Sequence, residues 1–358
     1  MAYKVNDNNI IFDSDGKTVL VTNSEILFDG TNTVGNTLYD LSDTHFIDLF
    51  KFPAQGTESG YRSAGRSPAL ANNINTIDKY PFSTDANATD VGDLTQSRQL
   101  PAGQSSNTHG YTSGGLRGSP PFSPPYNSSV IDKFSFATDG NATNVGNLTK
   151  NTYYCTGVSS AYHGYTAGGR STPPPSPFTN DIIEKFPFAY DASSRDVGDL
   201  ATQMPGGGQN GTMNAEGGYI NGCTDAPGTL DIIQKFPFAT DANAVQVGSL
   251  TSAMSYTAGS SSTSHGYASG GSPGISNETI QKYGFISEGN ATDVGDLTEP
   301  RQEAAGCAST ENGYTAGGQY TTPTSRNYID NFPFSSDANA SDVGDLTEAT
   351  HACAGQQA

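Results

Sequence analysis

Three short segments recur six times along this chain, so any fold must treat six stretches of roughly fifty residues as equivalent units. A Gly-Tyr pair followed by small residues stands at Tyr61, Tyr111, Tyr165, Tyr219, Tyr267 and Tyr314, with successive spacings of 50, 54, 54, 48 and 47. An Ile-acid-Lys-aromatic-Pro-Phe segment follows each, ending at Phe82, Phe136, Phe188, Phe238, Phe285 and Phe334. A Val-Gly-Asp-Leu-Thr segment comes third, from Val91, Val145, Val197, Val247, Val294 and Val343. A weaker run of small residues precedes the Gly-Tyr pair from the second copy on: 100–106, 153–160, 255–262 and 303–310, with a glycine-rich counterpart between Met204 and Met213.

Each segment is short, alternates apolar with polar residues and is bounded by Gly, Pro, Asn or Asp, the pattern of strands joined by turns. Alternation puts Ile183, Lys185 and Pro187 on one side of a strand and Glu184, Phe186 and Phe188 on the other. In chain order within a unit the segments become strands A (small residues), B (Gly-Tyr), C and D (Val-Gly-Asp-Leu-Thr). No window holds a helical period, because Gly and Pro interrupt all of them. Four antiparallel strands in about fifty residues, six times over, predict an all-β chain: a six-bladed β-propeller of four-stranded blades over 49–358. A parallel β-helix needs a shorter repeat, and a linear array of hairpins leaves an open edge at every unit.

A propeller must pair its last blade with its first. Two segments qualify as strand A of the first blade: one within 348–358, which would close the ring from the C-terminal side, and 52–59, which would close it from the N-terminal side. Residues 1–48 lie outside the repeat, but Ile10-Ile11-Phe12 and Thr18-Val19-Leu20-Val21 flank the turn signal Asp13-Ser14-Asp15-Gly16. So short a β-rich piece does not fold alone, and the expectation is an arm that packs on a neighbouring subunit or a larger particle, or else on the propeller's flank.

The repeat resembles a known family. Gly114-Gly115, Gly168-Gly169, Gly270-Gly271 and Gly317-Gly318, each after a Gly-Tyr strand, look like kelch repeats, where a glycine doublet ends the second strand and an Arg such as Arg98 or Arg301 precedes the first strand of the next blade. Copy one has Ala64-Gly65, copy four has Gly222-Cys223, and the family's tryptophan is absent. The longer motif, as in Ile183-Glu184-Lys185-Phe186-Pro187-Phe188 followed by Asp196-Val197-Gly198-Asp199-Leu200, is similar to repeats of structural proteins from marine tailed bacteriophages, and Met1-Ala2-Tyr3-Lys4-Val5 resembles the start of virion-attachment subunits. This second resemblance implies a non-enzymatic virion structural protein, a tail-fibre or host-surface-binding propeller attached to other virion proteins through residues 1–48. The alternatives are a capsid decoration protein, or a carbohydrate-binding or carbohydrate-cleaving propeller.

Charge narrows the partners. With 36 acidic against 17 basic residues the net charge is −19, which repels nucleic acid and anionic membrane surfaces. No stretch approaches the roughly 18 apolar residues of a membrane helix, and residues 1–9 lack the pattern of a secretory signal. Cys155, Cys223, Cys307 and Cys353 are widely spaced, without a zinc or disulfide pattern, and read as buried thiols.

Chemistry has few candidates. Carboxylates concentrate between strands C and D (Asp85, Asn87, Asp90 and Asp93; Asp191, Asp196 and Asp199; Asp337, Asn339, Asp342 and Asp345), where alternating oxygens suit either a calcium loop or Asx turns. His109, His163 and His265 each stand directly before a Gly-Tyr pair, either as a site or as turn residues in separate blades. No HExxH, no P-loop and no Gly-x-Ser-x-Gly elbow leading from strand into helix is present, so no enzyme, cofactor or metal is expected. The B-to-C loops vary most, notably 116–126 and 170–178. Strand alternation puts them with the D-to-A loops on one face, opposite the acidic turns. Proline-stiffened loops with aromatics either bind a glycan or protein partner or keep sheet edges unpaired. The binding reading rests on Arg117, Phe122, Tyr126, Arg170, Phe178 and Tyr320.

Overall fold

A computed structural model describes residues 11–12, 18–19, 55–70, 72–118, 127–171, 180–204, 211–225, 228–273, 276–320 and 324–358. The chain divides into two compact units, Met1–Lys51 and Phe52–Ala358. In the first, Ile11–Phe12 pairs antiparallel with Thr18–Val19, the hairpin expected around Asp13-Ser14-Asp15-Gly16. The rest of the expected arm lies outside the described residues.

The second unit is a six-bladed β-propeller of four-stranded antiparallel sheets, each ordered A-B-C-D. Strand B is Ser59–Ser63, His109–Ser113, His163–Ala167, Gly217–Asp225, His265–Ser269 and Asn312–Ala316 in blades 1 to 6. Strand C is Thr76–Pro81, Val130–Ser135, Ile182–Pro187, Gly228–Pro237, Thr279–Gly284 and Arg326–Pro333. Strand D is Thr89–Asp93, Thr143–Asn147, Arg195–Asp199, Val245–Ser249, Thr292–Asp296 and Ser341–Thr350. Strand A of blades 2 to 6 is Ala102–Ser105, Thr156–Ser159, Thr212–Met213, Ala258–Ser261 and Ala305–Ala308, and blade 1 takes Ala354–Gln357, with Tyr61 opposite Gln356. The ring therefore closes from the C-terminal side. The competing segment caps that strand instead: the Thr57 and Glu58 amides donate to the Ala358 carbonyl at 2.6 and 2.9 Å.

The Gly-Tyr pair is explained by packing on both sides of each sheet. A Cβ at Gly110 would lie 2.2 Å from the Phe134 ring, so glycine lets the strand C ring lie flat across strand B. The tyrosine beside it points the other way, to the next blade: Tyr61 stacks on Phe136 at 4.9 Å, and Tyr314 closes the circle on Phe82 at 4.6 Å. Ile183 and Phe186 are both buried, because each sheet is covered by a neighbour on both faces. Such aromatic pairs contribute roughly 0.5–1.5 kcal/mol each beyond the area they bury.

Around the axis the inner strands meet backbone to backbone. A Cβ at Gly157 would lie 2.1 Å from the Gly103 carbonyl oxygen, and one at Gly355 would lie 2.2 Å from that of Gly306. Side chains join neighbouring inner strands: the Gln357 amide donates to Ser105 Oγ at 3.0 Å and the Ser105 amide to Ser159 Oγ at 2.9 Å. Every described residue of the inner strands is buried.

A second seam is buried beneath the D-to-A connections. Arg98 donates to Asp132 Oδ2 at 2.8 Å and to the carbonyls of Val130 and Thr112 at 3.0 and 2.9 Å. Arg301 forms the corresponding ion pair with Asp330, and in blade 1 Arg62 of strand B reaches Asp78. Blades 4 and 5 place Met204 and Met254 at the arginine position, and there the acid is replaced by Gln234 and Gln281, whose amides face the sulfurs at 3.0 and 3.6 Å. Blade 3 keeps an acid without a cation: Thr152 stands at the arginine position, and the buried Glu184 accepts from the Thr149 amide and from Ser194 Oγ instead.

Candidate functional site: the B-to-C and D-to-A face

The two ends of the propeller use their residues differently. On the acidic end, each C-to-D turn grips the preceding blade. The Asp93 amide donates to Asn141 Oδ1 at 3.0 Å and the Ala142 amide to the Asp93 carbonyl at 2.8 Å, with equivalents at Asp199 and Asn243, Asp296 and Asn339, and Asp345 and Asn87. Lys79, Lys133, Lys185, Lys235 and Lys282 each pair with the first acid of the next blade's turn. Asp90, Asp196, Asp293 and Asp342 accept from the glycine amide two residues on, as Asx turns do. A Cβ at Gly92 (φ +150) would lie 2.3 Å from the Gly140 carbonyl, so Val-Gly-Asp owes its glycine to this contact and to its backbone angle. These oxygens serve the seam between blades, and among the described residues no cluster of three metal-ligating side chains occurs.

His109, His163 and His265 open strand B in blades 2, 3 and 5, and the Nδ1 atoms of His109 and His265 bond Thr108 and Ser264 beside them. They share a position in the blade and do not converge.

On the opposite end the glycine doublets turn strand B toward the next blade. Gly114 and Gly115 have φ of +69 and +108, and the Gly115 amide donates to the Thr152 carbonyl at 2.7 Å. Gly270-Gly271-Ser272-Pro273-Gly274 has the spacing of a nucleophile motif, but its described part belongs to this turn: the Ser272 amide bonds the Ser255 carbonyl, and the described residues that follow lead into strand Thr279–Gly284 rather than a helix.

Two residues before strand A, Leu100, Tyr154, Tyr256, Glu303 and Ala352 all adopt left-handed backbone, with φ between 57° and 61°. Their amides pass from blade to blade. Glu303 donates to the Tyr256 carbonyl at 3.0 Å, Ala352 to Glu303 at 2.8 Å, Leu100 to Ala352 at 2.7 Å and Tyr154 to Leu100 at 3.0 Å. The rings of Tyr154 and Tyr256, from blades 3 and 5, stand 5.5 Å apart. This collar rings the axis on the variable face.

Polar chemistry collects beside the collar. Glu303 is 7% exposed and accepts from Gln319 Nε2 at 3.0 Å. Burial pushes its carboxyl up to about 7 against the pull of Arg66. Burial holds the His351 imidazole down to about 4, with Arg66 adding to the effect, and Ser325 Oγ lies 2.6 Å from its Nδ1. The Tyr154 phenol is raised by burial and then by Glu303, while the Arg170 guanidinium lies over its ring at 5.5 Å.

Of the sequence-predicted residues, Arg117, Arg170 and Tyr320 lie on this face and Phe122, Tyr126 and Phe178 fall outside the described residues. Tyr320 is 43% exposed, with the Arg326 guanidinium 6.0 Å from its ring centre. Arg170, not Tyr320, stands at the collar. The prediction missed Arg66, Tyr154, Tyr256, Glu303 and His351. Arg66 was findable, since it follows Ala64-Gly65 as Arg170 follows Gly168-Gly169.

The basic residues sort by face. Ten of those described are ion-paired: Arg62, Arg98, Arg195, Arg301 and Arg326, with Lys79, Lys133, Lys185, Lys235 and Lys282. The others, Arg66, Arg117, Lys150 and Arg170, have no carboxylate within ion-pairing distance among the described residues, and all belong to B-to-C or D-to-A connections of blades 1 to 3. No family model matches the chain, and no curated protein matches it in sequence.

Proposed function

We propose that this chain is a non-enzymatic binding protein whose variable face, formed by the B-to-C and D-to-A connections, engages a partner. The observation that carries this reading is the unequal use of the two ends. The acidic end repeats one clasp between blades, whereas the variable end holds a polar collar and the four cations without carboxylate partners. The likeness of the repeat to structural proteins of tailed phages supplies the setting: a virion, with residues 1–48 joining other virion proteins and the propeller directed at a host surface.

The runner-up, a carbohydrate-cleaving propeller, would rest on Glu303, a buried carboxyl near neutrality as a general acid requires. A glycosidase also needs a second carboxyl about 5–9.5 Å away. Beside Glu303 stand Arg66, Tyr154 and Gln319. A glycan array read for both retention and cleavage separates the two readings, with retention without product expected and released sugar opposing it. Electron microscopy of the intact particle tests the setting: propellers displayed on tail or capsid with the variable face outward support it, and that face buried against the particle contradicts it.

A further inference from the structure

At the boundary of blades 1 and 2 the variable face is built, not merely loop-like. Arg66 pairs with Asn73 across a two-residue ladder, and Asn73 Nδ2 donates to the carbonyls of Leu116 and Gly118, at 2.9 and 3.1 Å, on either side of Arg117. Leu116 in turn bridges to Asn127. Two guanidiniums without carboxylate partners are thus carried on backbone held by one amide. Beside them are polar atoms without hydrogen-bond partners among the described residues: Ser67 Oγ, Asn73 Oδ1, and both Oδ1 and Nδ2 of Asn127. Asn73 and Asn127 are only 4% and 3% exposed. Native proteins rarely bury such atoms without a partner, and none of the described residues supplies one here.

The ligand's chemistry follows from the set. Guanidinium forks select carboxylates, and unpartnered amides ask for hydroxyls, which both donate and accept. Nucleic acid is disfavoured by the net charge of −19. An acidic peptide supplies carboxylates but few hydroxyls. We propose that this boundary, with Arg66, Arg117, Asn73 and Asn127, is a subsite for a carboxylated saccharide, a uronate unit of an acidic polysaccharide. The proposal rests on the binding reading above and gives its ligand a class.

The test titrates the full chain with galacturonate, mannuronate and glucuronate oligosaccharides, each beside its carboxyl-reduced neutral form. At least one uronate binds, and its reduced form binds about tenfold more weakly or worse. Arg66→Gln with Arg117→Gln reproduces that loss. Asn127→Ala weakens binding at an unchanged melting temperature, and Arg195→Gln on the acidic end changes nothing. The proposal is overturned if no uronate binds, if the double variant binds as the parent does, or if polyglutamate competes as well as the uronate. Retention of neutral glycans with indifference to the arginine variants overturns the subsite alone and leaves the binding reading standing. Absence of all retention on the array defeats both.

Discussion

Replacing Arg98 by Met tests whether the buried seam works as paired alternatives. In the parent, Asp132 is fully buried and takes bonds from Arg98 Nη2 at 2.8 Å, the Thr95 amide at 3.1 Å and Thr95 Oγ1 at 2.7 Å. Arg98→Met leaves a buried carboxylate held only by Thr95, and such unpairing costs about 3–5 kcal/mol. The double change, Arg98→Met with Asp132→Gln, recreates the pair that blades 4 and 5 carry as Met204 with Gln234 and Met254 with Gln281. It should return to within about 1 kcal/mol of the parent, since replacing both members of a buried pair is close to neutral. Urea unfolding followed by circular dichroism and tyrosine fluorescence, which no tryptophan obscures, yields both differences and their coupling. A double variant as unstable as Arg98→Met, or a single variant costing under about 1 kcal/mol, refutes the reasoning.

Removing 351–358 deletes the inner strand of blade 1 and the Gln356 bonds to Ser63 Oγ, the Tyr111 carbonyl and Thr112 Oγ1, so the melting temperature should fall by roughly 5 °C or more, as calorimetry would show. Removing 1–51 should leave melting of the Phe52–Ala358 unit unchanged, because its ring closes on its own last strand. The Glu303 carboxyl is raised to about 7, so its stabilising contribution is complete below its unfolded value near 4.3 and is lost as pH rises through 7. Glu303→Gln should therefore match the parent near pH 4 and exceed it by about 3 kcal/mol at pH 9. His351, held down to about 4, slopes the opposite way as pH falls from 6.5, so only the difference between variant and parent isolates Glu303.

The repeat made strands B, C and D legible because each copy meets the same neighbours: Gly60 and Gly110 must admit a ring, and Tyr61 and Tyr111 must reach the next blade. Closure by 354–357 was legible as one of two choices, since Ala354-Gly355 repeats the Ala305-Gly306 of an inner strand. The acidic turns were half legible. Asx turns at Asp90 and Asp196 are local, but Asn141 accepting from Asp93 is a contact between copies that spacing alone does not reveal. The collar left no local trace, because Leu100, Tyr154 and Tyr256 are not residues that ordinarily mark left-handed backbone, which tertiary packing imposes here. The exchange of Arg98 and Asp132 for Met204 and Gln234 is visible once copies are aligned by their Leu94 and Leu200, so the seam was available to a comparison of copies within the chain.

Hydrogen exchange of the full chain, alone and with the glycan that it retains best on the array, tests the central claim most directly. Binding at the variable face slows exchange at Arg66–Ser67, Leu116–Gly118 and Arg170–Ser171, and leaves the turns at 85–88 and 337–340 as they were. Slowed exchange at those acidic turns, with the variable face unaffected, contradicts the account.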